Sequence, residues 1–251
     1  MAEFRDDFDA PALDATVWLP HYLPAWSSRE ATRASHRLAE SCLVLDVPVD
    51  HPVWCPGDHE PPLRCSAVQS GSWSGPVGST RGQQRFREGQ TVREEQPRFE
   101  GWLPRSGHVE VRCRMVLSQR SMGAMWLAGF EDDEEQLRCG ELCVVEIFGS
   151  SLRKGSAEVG MGIKAFRDPA LAHDFAAPRL GIDPDDFHTY AVDWDADEAA
   201  FSVDGRVLRR CARPPTYPLQ VMVAVYDFPD RSAGDDDHLV PELVVDHVAG
   251  W

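Results

Sequence analysis

Two glutamates five residues apart in one apolar run are the residues of this chain best placed to do chemistry. The run is Gly140-Glu141-Leu142-Cys143-Val144-Val145-Glu146-Ile147-Phe148-Gly149. It is short, rich in β-branched residues and bounded by glycines, which predicts a buried strand rather than a helix. A carboxylate taken out of water costs several kcal/mol unless it is paired, solvated or neutralised. Two of them on one strand therefore point to a wet groove. In a regular strand side chains alternate, so positions 141, 143 and 145 share one side and 146 points away. A β-bulge would insert one extra residue and bring Glu141, Cys143 and Glu146 to the same face. Two carboxyls roughly 5 to 5.5 Å apart are what a retaining glycosidase needs, one as nucleophile and one as acid/base. Without the bulge Glu146 lies on the opposite face and the pair does nothing; the ten residues alone leave both arrangements open.

The elements that must position this run also read as strands. From His108 to Leu117 the chain alternates, with Val109, Val111, Cys113, Met115 and Leu117 on one face and Glu110, Arg112 and Arg114 on the other. Leu219 to Asp227 is apolar on both faces, as a central strand would be. Asp204-Gly205 between two apolar runs is a strong hairpin signal. A helix is expected from Ser28 to Glu40, with Ser27 or Ser28 as N-cap. Residues 48–63, crowded with Pro, Asp and His, and residues 71–90, rich in Gly, Ser and Arg, are expected to be loops, the second on the rim of the groove.

The 251 residues, 43% of them hydrophobic, can build the core of one all-β domain spanning 1–251, with no linker to divide it. A formal charge of −16 argues against nucleic acid and against an anionic membrane, because phosphate binding needs clustered Lys and Arg. The same charge disfavours an anionic polysaccharide. Seven cysteines without regular spacing predict free, buried thiols, and Cys139 and Cys143 lack the companion pair of a zinc site. The acidic N-terminus has no apolar signal core. A cytoplasmic location is expected from that, or a secreted one if a signal has been removed.

The run with its two glutamates resembles the Glu-x-Asp-x-x-Glu signature of glycoside hydrolase family 16, in the laminarinase-like form with the extra residue. Phe4 to Asp9 with Leu13 and Trp18 is similar to the family's opening strand. Gly123-Ala124-Met125-Trp126-Leu127 is similar to its Pro-Ala-Phe-Trp strand, Phe187 to Trp194 with Phe201 to Gly205 to its typical hairpin, and Val244 to Val248 to its closing strand. The resemblance implies a concanavalin A-like β-jelly-roll sandwich of two antiparallel sheets, with a glycan cleft on the concave sheet. It implies a retaining endo-β-glycosidase acting on a neutral β-1,3- or mixed-linked glucan, with Glu141 as nucleophile and Glu146 as acid/base. A polysaccharide or oligosaccharide is then the partner, and the chemistry needs no cofactor. Asp7 and Asp246 resemble positions where some members hold a structural calcium.

Three departures from the family pattern bear on this expectation. Cys143 stands where the signature has its central Asp, and a thiol with an ordinary pKa of roughly 8.5 is mostly neutral near pH 7. The expected enzyme is therefore slow. A catalytically impaired glycan-binding sandwich and a transglycosylase are the alternatives. The family's His in the next strand is absent, and Lys164 takes its place as a substrate-binding candidate. Met122 and Gly123 replace the Trp-Pro that opens the family's Trp-Pro-Ala-Phe-Trp strand, removing one stacking platform. Trp126 is the first candidate platform for a sugar ring, with Trp102 and Trp73 behind it.

Overall fold

The computed structural model describes residues 3–234 and 236–251. Antiparallel pairing builds two large sheets from the alternating segments. One runs from edge to edge through Arg206–Ala212, Glu198–Val203, His188–Trp194, Gly107–Val116, Glu242–Gly250, Cys42–Asp46 and Ser35–Ala39, and Phe4–Asp6 also pairs with Glu242–Gly250. The other runs through Asp174–Ala176, Gly160–Lys164, Glu141–Phe148, Ser121–Gly129, Leu219–Asp227 and Arg64–Gln69. The architecture is a β-jelly-roll sandwich.

The alternation of Gly107–Val116 decides how the sheets meet. Val109, Val111, Cys113 and Met115 are buried against Met125, Leu127, Leu142, Ile147, Val221 and Val223 of the six-stranded sheet. Their neighbours face solvent and pair: Arg112 with Asp246 at 3.2 Å and Arg114 with Asp185 at 3.2 Å. The six-stranded sheet is different, because Ser121–Gly129 and Leu219–Asp227 are buried at every position. One of its faces packs on the inter-sheet core. The other carries Met122, Ala124, Trp126, Met222, Ala224 and Tyr226, covered by Leu23, Trp26, Trp54, Leu63 and Val92 from the loops. A sheet buried on both faces reads as a continuous apolar run.

The hairpin at Asp204-Gly205 forms as its sequence signals. Asp204 has φ 50 and Gly205 φ 75, the positive pair that a two-residue turn with matching twist requires. Asp204 also accepts hydrogen bonds from the Thr189 backbone N–H at 2.9 Å and shares one with His188 at 2.7 Å.

The helix expected over 28–40 does not form. One turn is made: the Thr32 N–H donates to the Ser28 carbonyl at 3.1 Å, and the Ala31 N–H to Ser28 Oγ at 3.0 Å. The chain then extends, and Ser35–Ala39 pairs with Cys42–Asp46. Cross-strand pairing supplies more hydrogen bonds and apolar contact than one isolated helix of that length keeps in water. The helical segments among the described residues are three 3-10 turns of three residues each, and no helix is long and apolar enough to cross a membrane.

Leu127 is fully buried between the sheets, whereas Val207 on the edge strand is 43% exposed. Leu127→Ala is expected to lower unfolding stability by about 2–5 kcal/mol, and Val207→Ser by less than about 0.5 kcal/mol. Urea unfolding of the two variants measures the contrast.

Candidate active site

The strand Glu141–Phe148 carries the bulge on which the carboxylate pair depends. Toward Ser121–Gly129, Trp126 opposes Cys143 and Met125 opposes Val145, so Val144 is the extra residue. Toward Gly160–Lys164, Gly162 opposes Cys143 and Gly160 opposes Glu146, with the register shifting between them. Val144 and Val145 both enter the inter-sheet core. Glu141, Cys143 and Glu146 consequently all line one cavity on the opposite face. Gly162, at φ 137, matches the distorted stretch; a Cβ there would meet the Asp174 carbonyl at 2.2 Å.

Lys164 ties the two carboxylates together. Its Nζ lies 3.2 Å from Glu141 Oε1 and 3.0 Å from Glu146 Oε2, donating to the latter. Those two oxygens are therefore no farther apart than the sum of the two legs. Burial raises the Glu141 carboxyl above its ordinary pKa; Lys164 opposes that shift and Glu146 adds to it. Burial alone would lower the Lys164 ammonium, but the Glu141 and Glu146 carboxylates reverse the direction and hold it raised. Burial pushes the Cys143 thiol well up, so it is neutral at physiological pH. Its Sγ lies 3.8 Å from the Gly160 carbonyl. The site thus holds two carboxyls, a neutral thiol and one fixed positive charge. The two carboxyls can work as nucleophile and proton donor, and Lys164 is bound to the pair before it is free for any substrate.

The cavity, about 220 Å³, is walled by aromatic side chains, including Tyr22, Trp54, Phe86, Trp126 and Tyr226. Trp126 is 6% exposed and stands beside Cys143 in the register. The indole N–H groups of Trp54 and Trp126 are buried with no hydrogen-bond partner in the protein. Glu131 completes one wall, accepting from the Gln84 N–H at 2.5 Å and from Arg167 at 2.7 Å. Burial pushes its carboxyl up to about 7, against the pull of Gln84 and Arg167.

The other sequence candidates have different surroundings. Trp73 donates its N–H to the Phe130 carbonyl at 2.7 Å, with Arg81 over its ring, and Trp102 stacks on Phe4 at 4.2 Å. Neither lines the cavity. Asp7 pairs with Arg5 at 2.6 Å, and Asp246 with Arg112 at 3.2 Å and His247 at 2.8 Å. Carboxylates turned to cations do not fit a calcium site, and no group of three or more acidic, His or Cys side chains suited to a metal occurs among the described residues. Of the expected loops, residues 48–63 form no strand, and 71–90 contribute only Gly71–Ser72. Gln84, Arg85 and Phe86 do lie on the rim. Sequence reasoning missed Tyr22, Trp54, His59, Glu131, Arg167 and Tyr226. Only Tyr226 had a signal, since it shares a face with Met222 and Ala224 in an apolar strand.

The match to known proteins gives the family and the fold. The model of glycosyl hydrolases family 16 matches residues 104–235, more than half of the chain, and the chain belongs to that family. A GlcNAcα1-4Gal-releasing endo-β-galactosidase from Clostridium perfringens superposes with a TM-score of 0.80 at 25% identity, covering 99% of this chain. The chain spans 61% of that protein's length. The catalytic domain of an endo-1,3-β-glucanase (laminarinase) from Thermotoga petrophila gives 0.68 at 15% identity, covering 98% of this chain and 95% of that one. A laminarinase from Flavobacterium sp. gives 0.67 at 15% identity, covering 99% and 98%. At 15% identity the likeness establishes the fold. No curated protein sequence matches the chain.

Glu131 makes folding stability depend on pH in a defined direction. Its folded pKa of about 7 lies above the ordinary 4.5, so between those values the unfolded chain ionises this carboxyl more readily. Stability contributed by the neutral carboxyl is full below about 4.5 and is lost as pH rises through about 7. Urea unfolding should show the stability of Glu131→Gln, relative to wild type, increasing steadily from pH about 5.5 to about 7.5. A difference that stays constant across that range would show that the carboxyl is already ionised in the folded protein.

Proposed function

We propose that the protein is an endo-acting, retaining β-glycosidase in which Glu141 is the nucleophile and Glu146 the acid/base. The observation that carries this is the pair of carboxyl oxygens held on one Nζ. One oxygen of each carboxyl lies on the same ammonium, at 3.2 and 3.0 Å, and so close a pair favours the retaining arrangement over the wider inverting one. Glu141 attacks the anomeric carbon while Glu146 gives its proton to the departing oxygen. A covalent glycosyl-enzyme forms, and Glu146 then takes a proton from the water that breaks it. No cofactor enters these steps.

Two substrate classes follow from different observations. A neutral β-1,3- or mixed-linked glucan is the substrate expected from the sequence and fits the laminarinase neighbours. The superposition at a TM-score of 0.80 favours a second reading, a β-galactosidic bond within a glycan chain. Sugar release by purified protein from laminarin, lichenan and a galactose-containing mucin glycan, with Glu141→Gln as the blank, separates them. No release from any of the three would favour a glycan-binding sandwich over an enzyme, and new oligosaccharides longer than the substrate would mark a transglycosylase.

The roles are tested by azide. Glu141→Ala should lose turnover, and azide should restore part of it as an α-glycosyl azide. Glu146→Ala should fall by about 100- to 10,000-fold on natural glycans and give a β-azide on activated aryl substrates. Products of the opposite configuration would exchange the two assignments.

Lys164 and Cys143 set the speed. The thiol removes a partner that could share a proton with Glu141, and the ammonium favours the ionised form of Glu141. A slow enzyme is the expected outcome. Lys164→Met should move the acidic limb of the kcat/KM profile to higher pH by about one unit or more, because the Glu141 nucleophile loses the charge that holds its proton off. An unmoved limb would show that the ammonium does not act on the titrating pair.

A further inference from the structure

A second cavity, about 450 Å³, begins at Glu146 and extends away from Glu141. Along the strand the cavity-facing residues follow the order Glu141, Cys143, Glu146 and Phe148. Glu141 lines only the first cavity and Phe148 only the second, so Glu146 stands at the junction. In a retaining mechanism the acid/base protonates the leaving oxygen, which places the leaving half of the substrate on its far side from the nucleophile. The second cavity is that side.

Its lining is basic in a chain whose net charge is −16. Arg153, Arg179 and Arg231 all face it, with Phe148 and Phe175. Arg179 is paired with Glu158 at 2.8 Å. Arg153 donates to the Ser150 and Leu152 carbonyls at 3.1 and 2.7 Å, which orients it without neutralising it. Arg231 lies over Phe148 and Phe228, 5.3 and 4.4 Å from their ring centres. Neither Arg153 nor Arg231 has an ion pair among the described residues. The remaining carboxylate at this cavity, Glu146, is engaged by Lys164. Two guanidiniums with no ion-pair partner line a cavity beside the acid, and a guanidinium's donors suit a planar or tetrahedral anion.

We infer that this cavity is a leaving-side subsite for a sugar that carries an acidic group, a sulfate ester or a carboxylate, recognised by Arg153 and Arg231. The inference rests on Glu146 as the acid/base, because that role makes this the leaving side. It reverses, at this one place, what the net charge of the whole chain suggests about acidic glycans.

Binding rather than turnover tests it, so that it stands or falls apart from the hydrolytic activity. Glu141→Gln protein, which does not cleave, is titrated with galactose 6-sulfate, glucuronate, galactose and inorganic sulfate, with binding read by NMR or calorimetry. At least one charged sugar should bind about 10-fold or more tighter than galactose, and the tighter of the two names the acidic group. Its affinity should fall as salt is raised. Arg153→Ala with Arg231→Ala should remove that preference while leaving the thermal unfolding temperature unchanged, since both side chains are exposed. The Lys variants at the same positions should keep part of it. Equal binding of charged and neutral sugars overturns the subsite. So does a preference that survives the double Ala variant, or inorganic sulfate binding as tightly as the sulfated sugar, which would mark an adventitious anion site.

Discussion

The bulge at Val144 is the constraint from which the rest of the site follows. The strand offers two ways to divide its side chains between faces. Regular alternation would send Val145 to the cavity with Glu141 and Cys143, and drive Glu146 into the space between the sheets. That space is dry and apolar, filled by Leu142, Ile147, Val221 and Val223. A carboxylate there costs several kcal/mol, and a valine left out forgoes about 1.5–3 kcal/mol of burial. Spending one residue on a bulge avoids both costs, for the loss of a ladder hydrogen bond worth about 1 kcal/mol. Val144 and Val145 sit side by side in the core, and Glu146 returns to the cavity. The polarity of the strand therefore selects the distorted register.

Two carboxylates brought together in a half-dry cavity create a charge problem, and its solution here is a lysine. A shared proton is one way to relieve repulsion between neighbouring acids. A fixed ammonium is another. With a central carboxyl in place of Cys143, three acids would face a single ammonium. With a neutral thiol the cluster carries two acids and one base, which a small buried site tolerates more easily. Cys143 and Lys164 thus read as matched departures. Each makes the other less costly, and together they exchange a mobile proton for a static charge.

Much of the fold was legible in the residues, because it rests on alternation and turn chemistry. The strand around Val109 to Met115 and the Asp204-Gly205 hairpin are written in local patterns that tertiary context only reinforces. The segment 28–40 shows the limit: its composition suits a helix, yet its pairing partner, Cys42–Asp46, decides the outcome. The site divides the same way. Glu141, Cys143, Glu146 and Trp126 were visible because they share or adjoin one strand. The walls were not. Tyr22, Trp54, His59 and Arg167 come from loops distant in sequence, and no period links them. Lys164 was visible as the residue in the place of the family's His, but not as the bridge between two acids, because that role depends on the register Lys164 opposite Glu141.

The two sides of Glu146 differ in chemistry, and the difference follows from how the sheet is covered. On the Glu141 side, loops fold over the sheet and bring Trp54, Phe86 and Tyr22 beside Trp126 and Tyr226, an enclosure of aromatic rings. Such walls suit a neutral sugar, apolar on its C–H face and hydroxylated at its edge. On the other side the covering loops end, and the turn after Phe148 and the loop carrying Arg231 supply guanidiniums at the solvent edge. Charges there act only over about a Debye length of 8–10 Å at ordinary salt. Net charge describes how the whole molecule meets a distant polyanion; a single sugar seated against Phe148 meets only the few groups around it. A chain of formal charge −16 can for that reason still hold an acidic sugar at one end of its cleft.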